Sequence, residues 1–239
     1  MLPTTNSYPI ADIHTHILPE MDDGASSVNE AVKLLREEER QGITDVVLTP
    51  HFNLAEEGIE QFLNRRQQSY SALCEKIAET GMATGIKLHL GAEVRYDPNL
   101  IHSNADKLCI GNTSYILLEP TGNYPLNFEQ TIYWFLAQGL TPIIAHVERY
   151  DYIYQNRSFM EEVMGDGVIF QSNAGSLFSH RYAATVKKLI KQGYVSILAS
   201  DAHNLEKRPP MLLNGLNKIK KYSPLLIENS VKVVNDMSL

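Results

Sequence analysis

The chain has 239 residues, of which 44% are hydrophobic and 21% charged, a composition typical of a globular protein rather than a disordered or fibrous one. The first residues show no secretory signal, and no apolar run reaches the roughly 18 residues of a membrane span, so we expect a cytoplasmic protein without such a span. The net charge of -7 argues against general binding to nucleic acid.

Short apolar runs alternate with helical stretches along the chain. Seven runs are predicted as strands, over residues 10–14, 44–51, 87–94, 115–119, 142–146, 168–173 and 195–201. The sequence contains no internal repeat and no linker, so residues 10–239 are predicted as one domain after a short N-terminal extension over residues 1–9. Alternating strands and helices are typical of a parallel sheet, either closed into a barrel or open with helices on both faces.

The helices between these strands carry start and stop signals. Ser27 and Glu30 have the spacing of a capping box, and Gly42 lies where the C-terminal cap of that helix belongs. The same glycine stop closes two later helices, at Gly139 and Gly193. Ser223 is predicted to cap the last helix, because proline follows it in the first turn. These boundaries support the alternation of strands and helices.

Six of the seven predicted strands end in residues that bind metals. In a parallel barrel, functional groups lie at the carboxyl ends of the strands. These ends carry five of the eight histidines and three carboxylates, namely His14, His16, His51, Glu93, Glu119, His146, Asp201 and His203. Asp23, in the loop after the first strand, adds a fourth carboxylate, although Asp22 could serve instead. Together these residues predict a metal site at one end of the barrel.

The residue types restrict the metal. Imidazole nitrogens and carboxylate oxygens without thiolates favour Mn, Fe, Zn or Co, and four carboxylates could bridge ions about 3.5 to 4 Å apart. Because side chains alternate along a strand, His14 and His16 share one side, as Asp201 and His203 would if their strand continued that far. Asp12, two residues before His14, either orients a ligand or is only a polar residue of the strand.

The two cysteines do not form the phosphate-binding loop of cysteine-dependent phosphatases. That loop needs an arginine six positions after the cysteine, but Thr80 and Tyr115 occupy those positions after Cys74 and Cys109. Both cysteines are therefore predicted as small apolar residues of the interior. The nucleotide-binding motif GxxxxGK[ST] is also missing from the sequence, which disfavours a nucleotide-driven machine.

The ordered motifs of the chain resemble those of the polymerase and histidinol phosphatase (PHP) superfamily, and within it the CpsB/YwqE group of bacterial capsule-type tyrosine-protein phosphatases. The matching segments are DIHTHILP at residues 12–19, MDDGA at 21–25, TPH at 49–51, GAE at 91–93, HVER at 146–149 and SDAHN at 200–204. The resemblance covers most of the chain. Val147 and the tyrosine-rich loop at residues 150–154 depart from the pattern and leave the preferred substrate open.

The resemblance implies an α/β fold, a distorted (β/α)7 TIM-like barrel, with two or three metal ions. Manganese (Mn2+) is the expected ion, and Fe, Zn or Co are alternatives. The implied ligands are His14, His16, Asp23, His51, Glu93, Glu119, His146, Asp201 and His203. Arg149 and Arg208 would hold the phosphate, and Asp201 and His203 would take part in catalysis.

The implied activity is hydrolysis of phosphotyrosine in a protein, namely a bacterial tyrosine kinase that controls capsule or exopolysaccharide synthesis. Hydroxide generated on the metals would attack phosphorus, and a phenol of pKa about 10 would leave. The ligands do not separate this activity from hydrolysis of histidinol phosphate, another small phosphomonoester or a nucleic-acid end. A basic groove would favour nucleic acid, but the cluster Lys218, Lys220 and Lys221 is interpreted as a solvated helix face. The complete ligand set and both arginines disfavour a third hypothesis, a non-catalytic metal-binding module.

Overall fold

A curved parallel sheet forms the centre of the fold in the computed structural model, which describes residues 9–81, 85–122 and 125–236. All strand pairs in these ranges are parallel. The strands are β1 (Ala11–Thr15), β2 (Asp45–Leu48), β3 (His51–Phe52), β4 (Lys87–Leu90), β5 (Glu93–Arg95), β6 (Tyr115–Glu119), β7 (Thr141–Ile144), β8 (Ile169–Asn173) and β9 (Ile197–Ala199). The predicted N-terminal extension, apart from Pro9, and residues 237–239 of the predicted domain lie outside the described residues.

Two of the seven predicted strands are interrupted. The run at 44–51 divides into β2 and β3, and the run at 87–94 divides into β4 and β5. Pro50, which has no N–H to donate to a ladder, lies in the first interruption. Hydrogen bonds continue beside both breaks, from Thr49 N–H to the Thr15 carbonyl (2.8 Å) and from Gly91 N–H to the Leu48 carbonyl (2.9 Å). The seven predicted strand positions are therefore retained.

The sheet closes between its first and last strands. Thr15 pairs with Ala202 just beyond β9. Asp201 N–H donates to the His14 carbonyl (2.9 Å), and His16 N–H donates to the Ala202 carbonyl (2.8 Å). These bonds bring the end of the chain's last strand beside the end of its first. The prediction of a distorted α/β barrel with seven strand positions is confirmed.

The helices surround the sheet. They are α1 (Val28–Arg40), α2 (Ile59–Glu79), α3 (Phe128–Ala137), α4 (Asp151–Tyr154), α5 (Arg157–Gly165), α6 (Ala183–Lys191), α7 (Leu212–Lys218) and α8 (Ser223–Asn235). Ser27 caps α1 as predicted, because its side chain accepts from Glu30 N–H. Ser223 does not cap α8, since it is the first helical residue and its hydroxyl donates to the Leu216 carbonyl. None of the helices in the described ranges is long and apolar enough to cross a bilayer.

Apolar side chains fill two layers of the fold. One layer lies inside the barrel and includes Ile13, Val47, Leu117, Ile143 and Ala199. The other lies between the strands and the helices and contains, among others, Leu34, Leu35, Phe62, Phe135 and Val186. Cys109 is buried, Cys74 is half-buried, and both are free thiols. This packing fixes the strands rigidly and so fixes the positions of the side chains at their carboxyl ends.

Candidate metal centre

His14 and His16 at the end of β1 lie at the middle of the candidate site. Both are fully buried, and their Nε2 atoms are 3.2 Å apart. The same two nitrogens lie 3.3 and 3.2 Å from Glu93 Oε2 and 3.5 Å from Asp201 Oδ1. Residues from β1, β5 and the segment after β9 therefore meet at one point, at the carboxyl ends of the strands.

A shift of register in β1 helps to aim His14 at this point. Strict alternation would place Asp12 and His14 on one face, but the pairing with β2 is irregular between Asp12 and Thr15. Asp12 instead interacts with Glu38 of α1 and accepts hydrogen bonds from Ser200 N–H (3.0 Å) and His14 N–H (3.4 Å). These bonds favour the interpretation that Asp12 positions the ligands over the alternative of a merely polar strand residue.

Four overlapping groups of side chains could each hold a metal ion. In each group, one donor atom from every residue lies within 4.8 Å of the others. The groups are His14, His16 and Glu93; His14, His146 and Asp201; His51, Glu93 and Glu119; and His16, Asp23, His51 and His203. All nine residues that the sequence singled out as ligands fall in at least one group. Because the groups share members, they describe one cluster rather than four separate sites.

The chemistry of the cluster fits bound cations. Glu93 Oε2 and His203 Nε2 are buried and have no hydrogen bond, although other donor atoms crowd around them. Burial lowers the pKa of His16, but Asp22 and Glu93 outweigh it and raise that pKa to about 10. Glu93 is held well below its ordinary pKa by His14 and its neighbours, against the effect of burial. A pocket that favours positive charge on a fully buried ring would also stabilise metal cations.

The sequence left open whether Asp23 or Asp22 is the fourth carboxylate ligand. In the structure the two side chains occupy different positions. Asp22 Oδ2 accepts from His51 N–H (2.8 Å) and lies 2.7 Å from His16 Nδ1, on the side of the ring facing away from the cluster. Asp23 Oδ1 lies 3.2 Å from His203 Nε2 and 3.5 Å from His51 Nε2. Asp22 thus fixes the orientation of the His16 ring, and Asp23 is the one that faces the donors.

The loop holding these aspartates lies directly on the backbone of His16. Ala25 N–H donates to the His16 carbonyl oxygen (3.0 Å), and a Cβ on Gly24 would lie 2.1 Å from that oxygen. Only glycine avoids this clash. Glycine is therefore required in the motif MDDGA because the loop must approach the strand closely to place both aspartates.

Asp201 and His203 do not extend β9, contrary to the prediction that they could share a strand face. The strand ends at Ala199, and Asp201 adopts a left-handed conformation with φ of +55°. This turn still directs Asp201 Oδ1 to within 3.6 Å of His203 Nδ1. The His203 ring stacks on His16 with centroids 3.8 Å apart, and burial followed by the His16 charge lowers the pKa of His203 to about 4.

Arg149 and Arg208 meet at Asp201. Arg149 Nη2 donates to Asp201 Oδ2 (2.9 Å), while Arg208 Nη2 contacts both carboxylate oxygens (2.8 and 2.7 Å). Each arginine side chain is about one third exposed, at 34% and 35%, so both border the open mouth of the cluster. Burial of Arg149 lowers its pKa, but Asp201 and other acids outweigh this and raise it. The Arg149 guanidinium group therefore remains charged beside the candidate ligands.

Sequence reasoning missed a buried amide in the middle of β8. Gln171 Oε1 accepts from His146 N–H (2.8 Å) and lies 3.3 Å from His14 Nδ1. Its amide nitrogen donates to Asn173, whose own amide donates to Asp201. This chain of amides orients two predicted ligands. The signal in the sequence was a glutamine directly after the apolar residues Ile169 and Phe170 of a predicted strand, where a buried polar residue needs a partner.

His89 of β4 and Tyr150 of the tyrosine-rich loop contact neighbouring side chains. His89 Nε2 is 2.9 Å from Asp45 Oδ1 and belongs to none of the four groups. Tyr150 is only 7% exposed, with its ring 5.7 Å from that of His146. These contacts favour structural roles for both residues.

A parallel α/β barrel with clustered imidazoles and carboxylates at the carboxyl ends of its strands defines a class of metal-binding barrel proteins. A family model described as capsular polysaccharide synthesis, CpsB/CapC, matches residues 10–238. The chain belongs to this family.

Characterised relatives resemble the chain over most of its length. It is 33% identical over 230 residues to the putative tyrosine-protein phosphatase CapC of Staphylococcus aureus, covering 89% of this chain and 85% of the relative. It is 32% identical over 205 residues to the tyrosine-protein phosphatase YwqE of Bacillus subtilis (strain 168), covering 82% and 78%. A solved structure from work on YwqE of Bacillus subtilis and CpsB of Streptococcus pneumoniae, metal-dependent tyrosine phosphatases, matches with a TM-score of 0.84, 27% identity and 96% of each chain.

Proposed function

We propose that this protein is a metal-dependent protein-tyrosine phosphatase. One observation carries the proposal: nine donor side chains converge at the mouth of the barrel, and two arginines border the same mouth. Metals together with guanidinium groups are suited to a phosphate ester, whose oxygens carry the charge that must be neutralised. The names of the relatives, all tyrosine-protein phosphatases, support this choice of substrate.

The nine donors would hold two or three ions, for which we propose manganese. Four groups with shared members leave room for fewer than four ions, and the nitrogen and oxygen donors without sulfur suit Mn2+ and, as alternatives, Fe, Zn or Co. When bound, the metals would supply an activated water and neutralise charge on the phosphoryl oxygens. The assigned ligands are His14, His16, Asp23, His51, Glu93, Glu119, His146, Asp201 and His203.

Arg149 and Arg208 would bind the phosphate. Each guanidinium group has five N–H donors in one plane, and the contacts with Asp201 leave further donors free. A phosphate placed beside Asp201 could therefore receive hydrogen bonds from both arginines. Asp201 orients the two groups, and His203 borders the same space through its stack on His16.

The finer parts of the proposal concern the setting of the reaction. We assign residues 10–239 to one catalytic domain and place the protein in the cytoplasm. Its substrate would be a tyrosine-phosphorylated protein, namely a bacterial tyrosine kinase that controls capsule or exopolysaccharide synthesis. The family description and the named activities of the relatives support this assignment.

The decisive experiment compares substrates on metal-reconstituted enzyme. We expect a phosphotyrosine peptide to be hydrolysed with a higher kcat/KM than histidinol phosphate or a 5'-phosphorylated DNA end. If the peptide is the poorest of the three, the proposed substrate class is wrong. Metal analysis of the same sample should find bound transition metal, and removal with a chelator should abolish the activity.

The arginines can be tested separately from the metals. Arg149→Ala should lower kcat/KM by about a hundredfold while metal content stays unchanged, since a charged hydrogen bond to phosphate is lost. Arg40→Ala removes an arginine that is exposed on α1 and paired with Glu37, and should leave activity unaltered. Loss of metal in Arg149→Ala would instead show that Arg149 has a structural role.

A further inference from the structure

Basic residues are concentrated in one part of this acidic chain. Nine of its 21 lysines and arginines lie between residues 181 and 221, together with only two of its 28 acidic residues, Asp201 and Glu206. Five of the lysines surround a shallow depression of about 330 Å3, and we call them the lysine face: Lys187, Lys191, Lys218, Lys220 and Lys221. A positive surface on a chain of net charge -7 indicates an interaction with something anionic.

The charges of the lysine face are not neutralised by the protein. All five lysines are exposed, and none forms a salt bridge with a carboxylate of the described residues. The interpretation of Lys218, Lys220 and Lys221 as a helix face is wrong, because α7 ends at Lys218 and the other two lie in the turn before α8. The turn brings them to the lysines at the end of α6.

The lysine face lies at the end of the barrel opposite the metal centre. Lys191 ends α6, only six residues before β9 begins at Ile197. Asn229 of α8 donates to the carbonyl of Ser196, also at the amino end of β9 (2.9 Å). Because the metal donors occupy the carboxyl ends of the strands, the lysine face cannot take part in binding the phosphate. It requires a separate explanation.

Apolar and aromatic groups accompany the lysines. The lining of the depression includes Ile190, Ile219 and Tyr222, and the Lys221 ammonium lies 5.7 Å from the centre of the Tyr222 ring. Leu225, three residues further on at the start of α8, is 60% exposed. Glu228, one turn later on α8, marks the limit of this basic and apolar surface. Lysines beside an interfacial tyrosine and an exposed leucine are typical of surfaces that bind the headgroup region of a bilayer.

We propose that the lysine face docks the protein on the anionic surface of a lipid bilayer. The positive charges would be attracted to acidic headgroups, and Leu225 with Tyr222 would contact the boundary of the acyl chains. Docked in this way, the protein would turn the mouth of its barrel away from the bilayer and leave it open to protein segments. This inference concerns a different surface from the proposed active site and does not depend on the substrate.

Vesicle flotation with the full-length, metal-loaded protein tests the proposal. We expect binding to vesicles of 70% phosphatidylcholine and 30% phosphatidylglycerol, release at about 0.5 M salt, and no binding to pure phosphatidylcholine. Replacement of Lys218, Lys220 and Lys221 by alanine should lower the partition coefficient by about a hundredfold, since each lysine near the surface is worth about fivefold. Leu225→Ala should weaken binding several-fold and leave the salt dependence of binding unchanged, because leucine carries no charge.

The matched control removes the same charge elsewhere. Lys33, Lys87 and Lys107 are exposed and distant from the lysine face in sequence, and their replacement by alanine should change the partition by no more than about twofold. Hydrolysis of a small aryl phosphate should be equal in both triple variants, which also verifies folding. Equal binding to both vesicle types, equal loss in both variants, or tighter binding to polyglutamate or single-stranded DNA than to the acidic vesicles would each overturn the proposal.

Discussion

Glu93 and Glu38 are both fully buried glutamates, yet their surroundings shift their pKa values in opposite directions. Burial favours the neutral form of each. At Glu93 the histidines outweigh burial and hold the pKa well below its usual range. At Glu38, on the inner side of α1, burial and the neighbouring Asp12 both raise the pKa well above it. Burial therefore does not decide the charge of a carboxyl group in this fold; its neighbours do.

The two regions lie on either side of β1 and use the same strand. At the carboxyl end, His14 and His16 surround Glu93 and create a site for cations. On the other side, Asp12 faces Glu38, and burial raises the pKa of Asp12 to about 6 despite hydrogen bonds from Ser200. One region is arranged to keep negative charge, whereas the other is arranged to keep protons.

The largest effect is expected from removing the charge of Glu93. Glu93→Gln deprives two of the candidate groups of their shared anionic oxygen, so we expect loss of bound metal and a fall in kcat/KM of at least about a hundredfold. Metal analysis and hydrolysis of a phosphotyrosine peptide measure the two effects. Glu38→Gln, the same change at the other buried glutamate, should keep its metal. Full metal content in Glu93→Gln would show that the charge of Glu93 is not needed to hold the ions.

A steric change at the loop beside the metal centre should have the next largest effect. Gly24→Ala places a methyl group 2.1 Å from the His16 carbonyl, so the loop must move and take Asp22 and Asp23 with it. We expect metal affinity to fall by about ten- to a hundredfold, as is usual when the groups that orient ligands are disturbed. Titration of the metal-free protein with Mn2+ measures this.

The control for this change is Gly165→Ala. Gly165 ends α5, and a Cβ there would meet nothing within 4 Å. Its metal affinity should equal that of the natural sequence. If both variants bind metal equally well, the close contact between the loop and β1 does not fix the aspartates.

The convergence of the candidate ligands was predictable because parallel strands bring their carboxyl ends together. His51 and Glu93 could be placed at one end of a barrel without knowledge of any contact. The left-handed turn at Asp201 could not be predicted, since it depends on hydrogen bonds to β1 from a segment almost 190 residues away in sequence. The roles of Asp22 and Gln171 could likewise not be assigned from the sequence, because both depend on the ring and backbone nitrogens that they meet in the folded chain.

Glu38 shows a different reason for failure. It lies within the run Glu37-Glu38-Glu39-Arg40, which has the composition of a solvated surface. The helical period nevertheless places Glu38 three residues after Leu35 and seven after Ala31, on the buried face. The helical period was therefore a better guide to burial than the local composition, but only the structure shows that a second buried carboxyl group, that of Asp12, lies beside Glu38.

A change at the Asp12 and Glu38 pair should alter stability in a pH-dependent way. A carboxyl group whose pKa is raised by folding contributes stability below its unfolded pKa, near 4, and loses it as the pH rises through the folded pKa. For Asp12 that loss extends from pH 4 to about 6, and for Glu38 it continues to a pH well above its ordinary pKa. Glu38→Gln removes the titrating group whose loss of stability extends to the higher pH, so its advantage should grow as the pH rises from about 5 to 8.

We expect Glu38→Gln to match the natural sequence in free energy of unfolding at pH 5 and to exceed it by about 1 kcal/mol at pH 8, roughly 2 to 4 °C in Tm. Glu37→Gln is the matched control on the same helix. Arg40 lowers the pKa of Glu37, so its contribution has the opposite sign and is lost as the pH falls. A gain at pH 8 in both variants would mean that the pair with Asp12 is not the cause.

The smallest effect is expected from a change at the N-terminal cap of α1, which alters the stability of the helix without altering the titration of Glu38. Ser27→Ala removes the side-chain oxygen that accepts from Glu30 N–H, and loss of such a cap costs about 1 kcal/mol. Because a hydroxyl does not titrate, the decrease in Tm of roughly 2 to 4 °C should be equal at pH 5 and pH 8. Thermal unfolding of Ser27→Ala and Glu38→Gln at both pH values tests this contrast. A pH-dependent cost in Ser27→Ala would show that fraying of α1 exposes Glu38 and that helix and carboxyl pair open together.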